Sequence, residues 1–245
     1  MIDRQERTAI VTGAGKRVGA EIARALFEDG WSVIAHVHHE TDDPPPEAIK
    51  VVADLADATC ADAIFAAATP LPPVRLLINN AARFAWDGLG EFDPAQFDAH
   101  MAVNVRAPAL LTERFAREHG GGDALIVNLL DSKLAAANPD YLSYTLSKHA
   151  LAAFTDLAAR ALASRGIRVN GIAPGLMLRS SGQSERNFRV MHAANPLGRG
   201  VEPGDVVGAI RYFVDATCVT GQVLVIDSGQ RFLALERDVQ FLGDA

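Results

Sequence analysis

Short apolar runs alternate with longer amphipathic stretches along the chain, and this alternation is the strongest constraint on its fold. Most of the short runs are nearly continuous apolar segments, as expected for strands covered by helices on both faces. The pattern predicts an α/β fold, a doubly wound Rossmann-type parallel sheet of about seven strands with helices on both faces. The predicted strands are residues 7–11, 32–37, 49–53, 74–78, 124–129, 168–172 and 223–226, and the predicted helices are residues 18–28, 58–68, 94–118, 141–164 and 203–214.

Length and composition favour one domain over residues 1–245. A chain of 245 residues with 49% hydrophobic residues can bury a large core. The formal charge of −7 at pH 7 argues against nucleic acid and anionic membranes as partners. The two cysteines, Cys60 and Cys218, form no zinc-type spacing, and we predict no metal site and a cytoplasmic location. No apolar stretch is long enough to span a membrane without a charge.

Two segments interrupt the regular pattern. Residues 38–48 connect the second and third predicted strands and include Pro44, Pro45 and Pro46, so we expect a shortened crossover without the usual helix. Residues from Gly175 to Gly200 lose the helical periodicity and are rich in polar residues. A loop of this length in a compact domain is often functional, and we predict that it binds substrate.

A glycine-rich turn follows the first predicted strand and precedes a helix. Its residues run from Thr12 to Gly19 and include Gly13 and Gly15. Glycines permit a tight turn and a close approach of a ligand to the backbone, and the N-terminal end of a helix attracts phosphate. The turn therefore indicates a dinucleotide site, with a glycine-tolerant β–α connection as the alternative.

Tyr144 and Lys148 lie four residues apart in a predicted helix, which places both side chains on one face. An ammonium close to a phenol stabilises the phenolate and lowers the tyrosine pKa. The pair therefore predicts a proton donor, and an exposed pair on the helix surface is the alternative.

Together these features resemble the short-chain dehydrogenase/reductase family over essentially the whole chain. The resemblance rests on the glycine-rich turn, Asp54–Leu55, Asn79–Asn80–Ala81, Asn104, the Tyr144/Lys148 pair and Pro174–Gly175. It implies that Tyr144 is the catalytic acid or base, that Lys148 binds the nicotinamide ribose and tunes Tyr144, and that Asn104 supports a proton-relay water. It also implies a homotetramer packed through the helices near residues 94–118 and 141–164.

Asp131 stands where most members of the family carry a catalytic serine, thirteen positions before Tyr144. An aspartate there, and Arg17 in the glycine-rich turn, resemble the pteridine reductases and dihydromonapterin reductases. The segment 31–39 also resembles their His-x-His segment, and Phe84 stands where an aromatic residue stacks on the pterin. Three positions depart from that branch, since His39 and Glu40 replace Arg and Ser, and Ala82 replaces a serine that contacts ligand.

The chemistry of a carboxylate also favours a heterocyclic substrate. Reduction of a pterin C=N bond needs a hydride at carbon and a proton at nitrogen, and the amino-bearing edge offers donors that Asp131 can accept. An ionised Asp131 beside a ketone oxygen would instead repel the developing negative charge. The alternative is that Asp131 is a solvated carboxylate and that the adjacent Ser132 takes the role of the serine. Phe84 is either the floor for a planar ligand or a packing residue, and Trp86 is left unassigned.

The cofactor prediction is NADP(H). Val37 occupies the position where NAD-dependent enzymes carry an acidic residue, and Arg17 and His38 favour a 2′-phosphate, whereas Glu40 does not. His36, His38 and His39 are otherwise ordinary edge or core residues. The predicted cofactor contacts are Gly13, Arg17, Val18, Gly19, His38, Asp54, Leu55, Asn80, Ala81, Tyr144, Lys148, Pro174 and Gly175, the predicted substrate contacts are Arg17, Phe84, Asp131 and Tyr144, and the predicted catalytic residues are Asp131, Tyr144, Lys148 and Asn104.

The resulting hypothesis is an NADP-dependent short-chain reductase that transfers a hydride to a pterin-like heterocycle, with a small molecule as its substrate. One alternative is a generic short-chain dehydrogenase acting on a ketone or an alcohol. A second alternative is a non-enzymatic NADP(H)-binding sensor, against which the intact Tyr144/Lys148 pair argues, because a sensor has no need of a tuned phenol.

Overall fold

Seven parallel strands form one sheet in the order β3-β2-β1-β4-β5-β6-β7. The computed structural model describes residues 7–242 of the chain. The apolar runs form strands because both faces of the sheet are covered, and all six residues of β5 are buried. The strands are β1 (Thr8–Val11), β2 (Ser32–Val37), β3 (Ile49–Val52), β4 (Val74–Asn79), β5 (Ala124–Leu129), β6 (Ile167–Pro174) and β7 (Val223–Ile226). The predicted doubly wound fold is confirmed.

Helices pack on both faces of this sheet. Helices α1 and α7 contribute Ile22, Leu26 and Phe213 to the core on one face, whereas α2, α4 and α5 contribute residues such as Phe65 and Phe115 to the core on the other. The helices are α1 (Arg17–Glu28), α2 (Cys60–Ala66), α3 (Pro94–Met101), α4 (Ala107–Glu118), α5 (Leu142–Leu162), α6 (Glu185–Ala193) and α7 (Pro203–Asp215). Within residues 7–242, no helix combines the length and the apolarity that a membrane span requires.

The predicted helix over residues 94–118 is wrong in its middle. A π-helical turn, Ala102–Arg106, separates α3 from α4. The apolar spacing continues across both helices, so periodicity alone does not register the wider turn, and such turns are frequent at functional sites. Asn104 lies in this turn.

The predicted loop between Gly175 and Gly200 is also only partly correct, because α6 occupies its centre. The Ser184 hydroxyl caps this helix by accepting a hydrogen bond from the Asn187 N–H at 3.0 Å. Only Asn187 and Met191 of the helix are buried. The helix is short and includes the charged residues Glu185, Arg186 and Arg189, so its polar composition is typical of a loop although it has an apolar side.

The strand order places a crevice at the carboxyl ends of β1 and β4. Chain connections leave these adjacent strands in opposite directions, which is the arrangement at which doubly wound sheets bind ligands. Residues 38–48, which join β2 to β3, contain no helix. The ends of β1, β2 and β4 are consequently open toward the crevice.

Candidate active site

Two glycines allow the turn after β1 to close tightly. Gly13 has a φ of +67°, a conformation that side chains disfavour. A Cβ atom at Gly19 would lie 2.1 Å from the Gly13 carbonyl oxygen, so this position tolerates only glycine. The backbone at the start of α1 is therefore exposed to the crevice with no side chain in front of it.

Polar contacts from neighbouring strands fix this turn. The Asn80 Nδ2 atom donates to the Thr12 carbonyl oxygen at 2.8 Å. The backbone N–H groups of Asn80 and Ala81 both donate to the Thr12 hydroxyl at 3.0 Å. The predicted residues Asn80 and Ala81 thus hold the ends of β1 and β4 together.

His36 supports the same turn from β2. It is 2% exposed, and its Nδ1 atom accepts from the Gly13 N–H at 3.2 Å while Nε2 lies 3.0 Å from the Ala53 carbonyl oxygen. Burial lowers the pKa of His36, so the ring is neutral and Nε2 carries the proton. His36 is therefore a core residue that links three strand ends.

A cavity of about 570 Å³ lies over the turn. It brings together nine of the predicted cofactor residues with the adjoining end of β2. These nine are Gly13, Arg17, Val18, Gly19, His38, Asp54, Leu55, Asn80 and Ala81. His38 Nε2 lies 3.9 Å from the Asp54 carboxylate, and both side chains are more than half exposed.

Asp42 also lines this cavity, although no sequence pattern marks it as a site residue. Its Oδ2 atom accepts from the His39 N–H at 3.0 Å, and Lys16 Nζ lies 3.9 Å from Oδ1. The His39 hydrogen bond holds the pKa of Asp42 below its ordinary value, so the carboxylate is ionised at neutral pH. The connection after β2 therefore places the Asp42 carboxylate in the same cavity as Val37, the apolar residue at the end of the strand.

A second cavity of about 430 Å³ lies beside the first. Arg17, Val18, Asn80 and Ala82 line both, so the two form a continuous crevice. The second cavity, called here the catalytic cavity, contains most of the predicted catalytic and substrate residues. Among its lining residues are Arg17, Phe84, Asp131, Ser132, Tyr144, Lys148, Pro174 and Gly175.

Tyr144 and Asp131 form the central contact of the catalytic cavity. The Tyr144 hydroxyl donates to Asp131 Oδ2 at 2.8 Å, and Asp131 Oδ1 accepts from the Lys133 N–H at 2.9 Å. Burial raises the pKa of Asp131, although both hydrogen bonds act in the opposite direction. Ser132 also lines the cavity, but the Tyr144 hydroxyl donates its hydrogen bond to the Asp131 carboxylate.

The expected lowering of the Tyr144 pKa is not observed in the protein alone. Burial, followed by the neighbouring Asp131 carboxylate, raises the pKa of Tyr144 well above 10. Lys148 Nζ lies 5.6 Å from the Tyr144 ring centroid and donates to the Leu129 carbonyl oxygen at 2.6 Å. Burial lowers the pKa of Lys148 to about 8. Burial, together with Asp131, therefore holds the Tyr144 phenol in its protonated form.

Asn104 is buried behind the catalytic cavity rather than among its lining residues. Its Nδ2 atom donates to the Ser147 hydroxyl at 2.9 Å and to the Arg83 carbonyl oxygen at 3.0 Å, and its Oδ1 accepts from the Arg83 N–H at 2.7 Å. These contacts occupy both amide hydrogens and connect the π-helical turn to α5. The side chain of Asn104 thus positions neighbouring segments, and its role in a relay stays a prediction.

Asp87 caps the helix that carries Tyr144 and Lys148, a contact that sequence reasoning missed. Its Oδ1 atom accepts from the Ser143 N–H at 2.9 Å, its Oδ2 accepts from the Ser143 hydroxyl, and its carbonyl oxygen accepts from the Leu142 N–H at 3.1 Å. A carboxylate at a helix N-terminus is stabilising. The partners are 56 residues apart, so no local sequence pattern reveals them.

Phe84 lies on the wall of the catalytic cavity. Its ring stacks on Tyr141 with a centroid separation of 4.2 Å and contacts Tyr144 edge to face at 4.7 Å. The Phe84 side chain is 43% exposed. One face of the ring packs on Tyr141, and the role of Phe84 as a floor for a planar ligand stays a prediction.

Arg17 begins α1 with a φ of +55°, in the left-handed region. Its Nη1 atom donates to the Arg179 carbonyl oxygen at 3.0 Å. Such a conformation is costly for a residue with a side chain and is concentrated at functional sites. Arg17 thus stands at the junction of the two cavities and contacts the segment predicted to bind substrate.

The family model described as Enoyl-(Acyl carrier protein) reductase matches residues 13–231. A protein named Dehydrogenase/reductase SDR family member 4, from Pongo abelii, is 31% identical over 248 residues, covering 91% of this chain and 87% of the relative. The chain belongs to the short-chain dehydrogenase/reductase family. The predicted family and the predicted oxidoreductase class are confirmed.

Two further proteins that are similar to this chain are named for different reactions. Galactitol 2-dehydrogenase (L-tagatose-forming) from Cereibacter sphaeroides is 33% identical over 238 residues, covering 90% of this chain and 93% of the relative. A crystal structure of FolM alternative dihydrofolate reductase 1 from Brucella canis, complexed with NADP, has a TM-score of 0.88 and 34% identity. That match covers 96% of this chain and 97% of the other.

Proposed function

We propose that the protein is an NADPH-dependent reductase that transfers a hydride to the C=N bond of a pterin-like heterocycle. The observation that carries the proposal is the 2.8 Å hydrogen bond from the Tyr144 hydroxyl to the Asp131 carboxylate, which lies in the catalytic cavity. A carboxylate beside the proton donor suits a substrate that presents N–H groups and a ring nitrogen. The likeness to the NADP complex of FolM alternative dihydrofolate reductase 1 supports the same substrate class.

The residues of the crevice fit a nicotinamide dinucleotide. The turn at Gly13 and Gly19 offers backbone N–H groups and the N-terminus of α1 to a pyrophosphate. His38 would hold the 2′-phosphate, Arg17 would contact the cofactor phosphates where the two cavities meet, Asp54 and Leu55 would hold the adenine, and Lys148 would hold the nicotinamide ribose. When bound, the reduced cofactor supplies the hydride. The NADP complex of the Brucella canis relative supports NADP(H) in this role.

Asp131 and Tyr144 move the proton that accompanies the hydride. The Tyr144 O–H donates its proton to the substrate nitrogen, and Asp131, hydrogen-bonded to that hydroxyl, returns a proton to it. Burial raises the pKa of Asp131, which favours the protonated carboxyl, so the proton that replaces the one Tyr144 donates is taken up by Asp131 before the transfer. In this scheme the phenol never needs to be a free phenolate, in agreement with its raised pKa.

Other residues of the cavity orient the substrate. Phe84 presents its exposed face to the heterocycle, since an aromatic ring stacks on a planar ligand without requiring a specific donor or acceptor. Arg17 reaches the cavity from the turn and would contact the oxygen-bearing edge. Asp87, by capping α5, fixes Tyr144 relative to Asp131.

A carbonyl substrate is the second candidate, favoured by the likeness to galactitol 2-dehydrogenase. In this case Ser132, which is 8% exposed and lines the cavity, would donate to the carbonyl oxygen. Asp131 argues against it, because an ionised carboxylate destabilises a developing oxyanion nearby.

Substrate screening decides between these two functions. Oxidation of NADPH is followed with a dihydropterin, a quinonoid dihydropterin, L-tagatose and an activated ketone as separate acceptors. The proposal predicts the highest kcat/KM with a pterin. Efficient turnover of the ketose or the ketone without any pterin turnover would select the carbonyl function. The proposed homotetramer is tested on the same sample by sedimentation, with a mass near four chains expected.

A further inference from the structure

Lys133 carries a buried charge that takes no part in the proposed proton transfer. Its ammonium nitrogen lies 2.7 Å from Asp238 Oδ2, and the two side chains are only 12% and 10% exposed. Both residues line the catalytic cavity. Because the desolvation of two charges offsets much of their attraction, stability alone seldom explains a buried ion pair. We therefore examined what this pair contacts.

Every polar atom of the ion pair has a partner. The Lys133 ammonium has three hydrogens to donate. Besides Asp238 Oδ2, it donates to Asn138 Oδ1 and to the Asp140 carbonyl oxygen, both at 3.1 Å. The second oxygen of Asp238, Oδ1, accepts from the Gln240 N–H at 3.0 Å. The pair is thus held in one geometry, and it anchors the segment after β7 to the loop after β5.

The backbone of Lys133 also fixes the carboxyl group of Asp131. The Lys133 N–H donates to Asp131 Oδ1 at 2.9 Å, which leaves Oδ2 to accept from the Tyr144 hydroxyl at 2.8 Å. Lys133 therefore contacts Asp238 through its ammonium and Asp131 through its N–H. A displacement of Lys133 would turn the Asp131 carboxyl away from the phenol.

The two charges of the ion pair act in opposite directions on the contact between Asp131 and Tyr144. Burial raises the pKa of Asp131, and the positive charge of Lys133 is among the influences that oppose this rise. Burial and then the Asp131 carboxylate raise the pKa of Tyr144, and the negative charge of Asp238 acts in the same direction. Because Asp238 balances Lys133, burial remains the main influence on the Asp131 carboxyl.

Other titratable groups also face the contact between Asp131 and Tyr144. Those that line the cavity or pack on the Tyr144 ring are Arg17 of the glycine-rich turn, His100 of α3, Lys148 of α5 and Arg231 after β7. Asp140, next to the ion pair, is itself neutralised by Arg237, whose Nε and Nη2 atoms donate to it at 2.8 and 2.9 Å. All of these groups stay unchanged when only Lys133 or Asp238 is replaced.

We propose that Lys133 and Asp238 are positioning residues of the proton-transfer pair, in which Lys133 orients the Asp131 carboxyl toward Tyr144 and Asp238 balances the Lys133 charge so that Asp131 can hold a proton. The inference rests on the proposed function for the role of Asp131 as the group that returns a proton to Tyr144. The effect of the ion pair on the ionisation of Asp131 does not depend on the substrate.

The first test follows the ionisation of Asp131 without turnover. Infrared difference spectroscopy on the full chain records the C=O band of the protonated carboxyl against pH, and Asp131→Asn identifies this band by its loss. The midpoint should fall by about half a pH unit to one unit in Asp238→Asn, which leaves the Lys133 charge unbalanced, and rise by about as much in Lys133→Met. The double variant Lys133→Met/Asp238→Asn should return toward the unmodified midpoint.

The opposite signs separate this role from a merely structural one. Loosening of the cavity would admit water and lower the midpoint in both single variants, since desolvation is what raises it. Lys133→Arg keeps the charge and should keep the midpoint within the range of the unmodified protein. Shifts of the same sign in Asp238→Asn and Lys133→Met, or no shift in Asp238→Asn, overturn the proposal.

The second test measures the pH dependence of kcat/KM for a dihydropterin. The rate should fall as pH rises past the apparent pKa of the Asp131–Tyr144 pair, because the active form holds the proton. This fall should move to lower pH in Asp238→Asn and to higher pH in Lys133→Met, while the affinity for NADPH stays unchanged. On the alkaline side, the shift corresponds to a rate about three- to tenfold lower in Asp238→Asn.

Asp123→Asn is the matched control for the loss of a buried ion pair. Asp123 Oδ1 lies 3.0 Å from Arg168 Nε, at the end of β5 opposite the catalytic cavity. This variant should unfold at a lower temperature without moving the pH profile, and an equal movement in the control contradicts the proposal. If no pterin is reduced, the proposed function fails, and the infrared titration alone decides the role of Lys133 and Asp238.

Discussion

Replacement of Asp131 by serine separates the pterin function from the carbonyl function. Asp131 accepts hydrogen bonds from the Tyr144 hydroxyl at 2.8 Å and from the Lys133 N–H at 2.9 Å. A hydrogen bond to a charged group contributes about 1.5–3 kcal/mol, which corresponds to about 10- to 150-fold in rate. General acid–base assistance contributes about 10² or more. We therefore expect kcat/KM for a dihydropterin to fall about 10²-fold in Asp131→Ser.

The same variant should behave differently toward a ketone. Serine supplies a hydroxyl donor for a developing oxyanion in place of a charge that repels it, so ketone reduction should stay constant or rise. Asp131→Asn is the matched control, because the amide keeps the shape and an acceptor oxygen but cannot take up or release a proton at neutral pH. It should lose pterin reduction as Asp131→Ser does, which attributes the loss to the titratable carboxyl and not to a change in side-chain shape.

Stability measurements show whether these losses come from misfolding. Burial raises the pKa of Asp131 in the folded protein above its value in the unfolded chain. The free energy of unfolding therefore falls as pH rises from the ordinary carboxyl pKa through the pKa that Asp131 has in the folded protein. At pH 7 the serine variant should therefore unfold at a temperature no lower than the unmodified protein. Steady-state kinetics with one pterin and one activated ketone complete the test. Unchanged pterin reduction in a folded Asp131→Ser protein would refute the reasoning.

Three further substitutions test other parts of the site. Tyr144→Phe should abolish most turnover and leave NADPH affinity nearly intact, as measured by kinetics and fluorescence titration; a near-normal kcat would place the acid elsewhere. Asp42→Asn should raise the affinity for NADPH relative to NADH, because it removes an anion from the nucleotide cavity, and an unchanged ratio would contradict this placement. Lys148→Met should raise the free energy of unfolding at pH 7, and the gain should disappear as pH rises from about 8 toward 10.5. A gain that is independent of pH would argue against a protonated, buried Lys148.

The strands and the proton-donor pair could be predicted because their signals are local. Parallel strands buried on both faces appear as continuous apolar runs, and a spacing of four residues places Tyr144 and Lys148 on one helix face. The glycine-rich turn is similarly local, since steric exclusion at Gly19 involves Gly13, six residues away. The positions of Tyr144 and Lys148 in the catalytic cavity could therefore be predicted from these local elements.

Other parts of the site depend on contacts between distant segments. Asp87 caps a helix that begins 55 residues later, and Asp238 reaches Lys133 from the segment after β7. Asp42 enters the nucleotide cavity because the connection after β2 folds back on the turn, and no periodic pattern marks that connection. The spacing to Lys148 predicts a lowered pKa for Tyr144, which is wrong, because spacing reveals neither burial nor the hydrogen bond to Asp131.

The destination of the hydride tests the central claim most directly. NADPH that carries deuterium at the transferable position of its nicotinamide is incubated with the unmodified protein, a dihydropterin and an equimolar ketose in one reaction. The products are separated and analysed by mass spectrometry and proton NMR. The account predicts deuterium on the ring carbon of the reduced pterin C=N bond and none on the polyol. Deuterium on the polyol carbon, with the pterin recovered unlabelled, would contradict it.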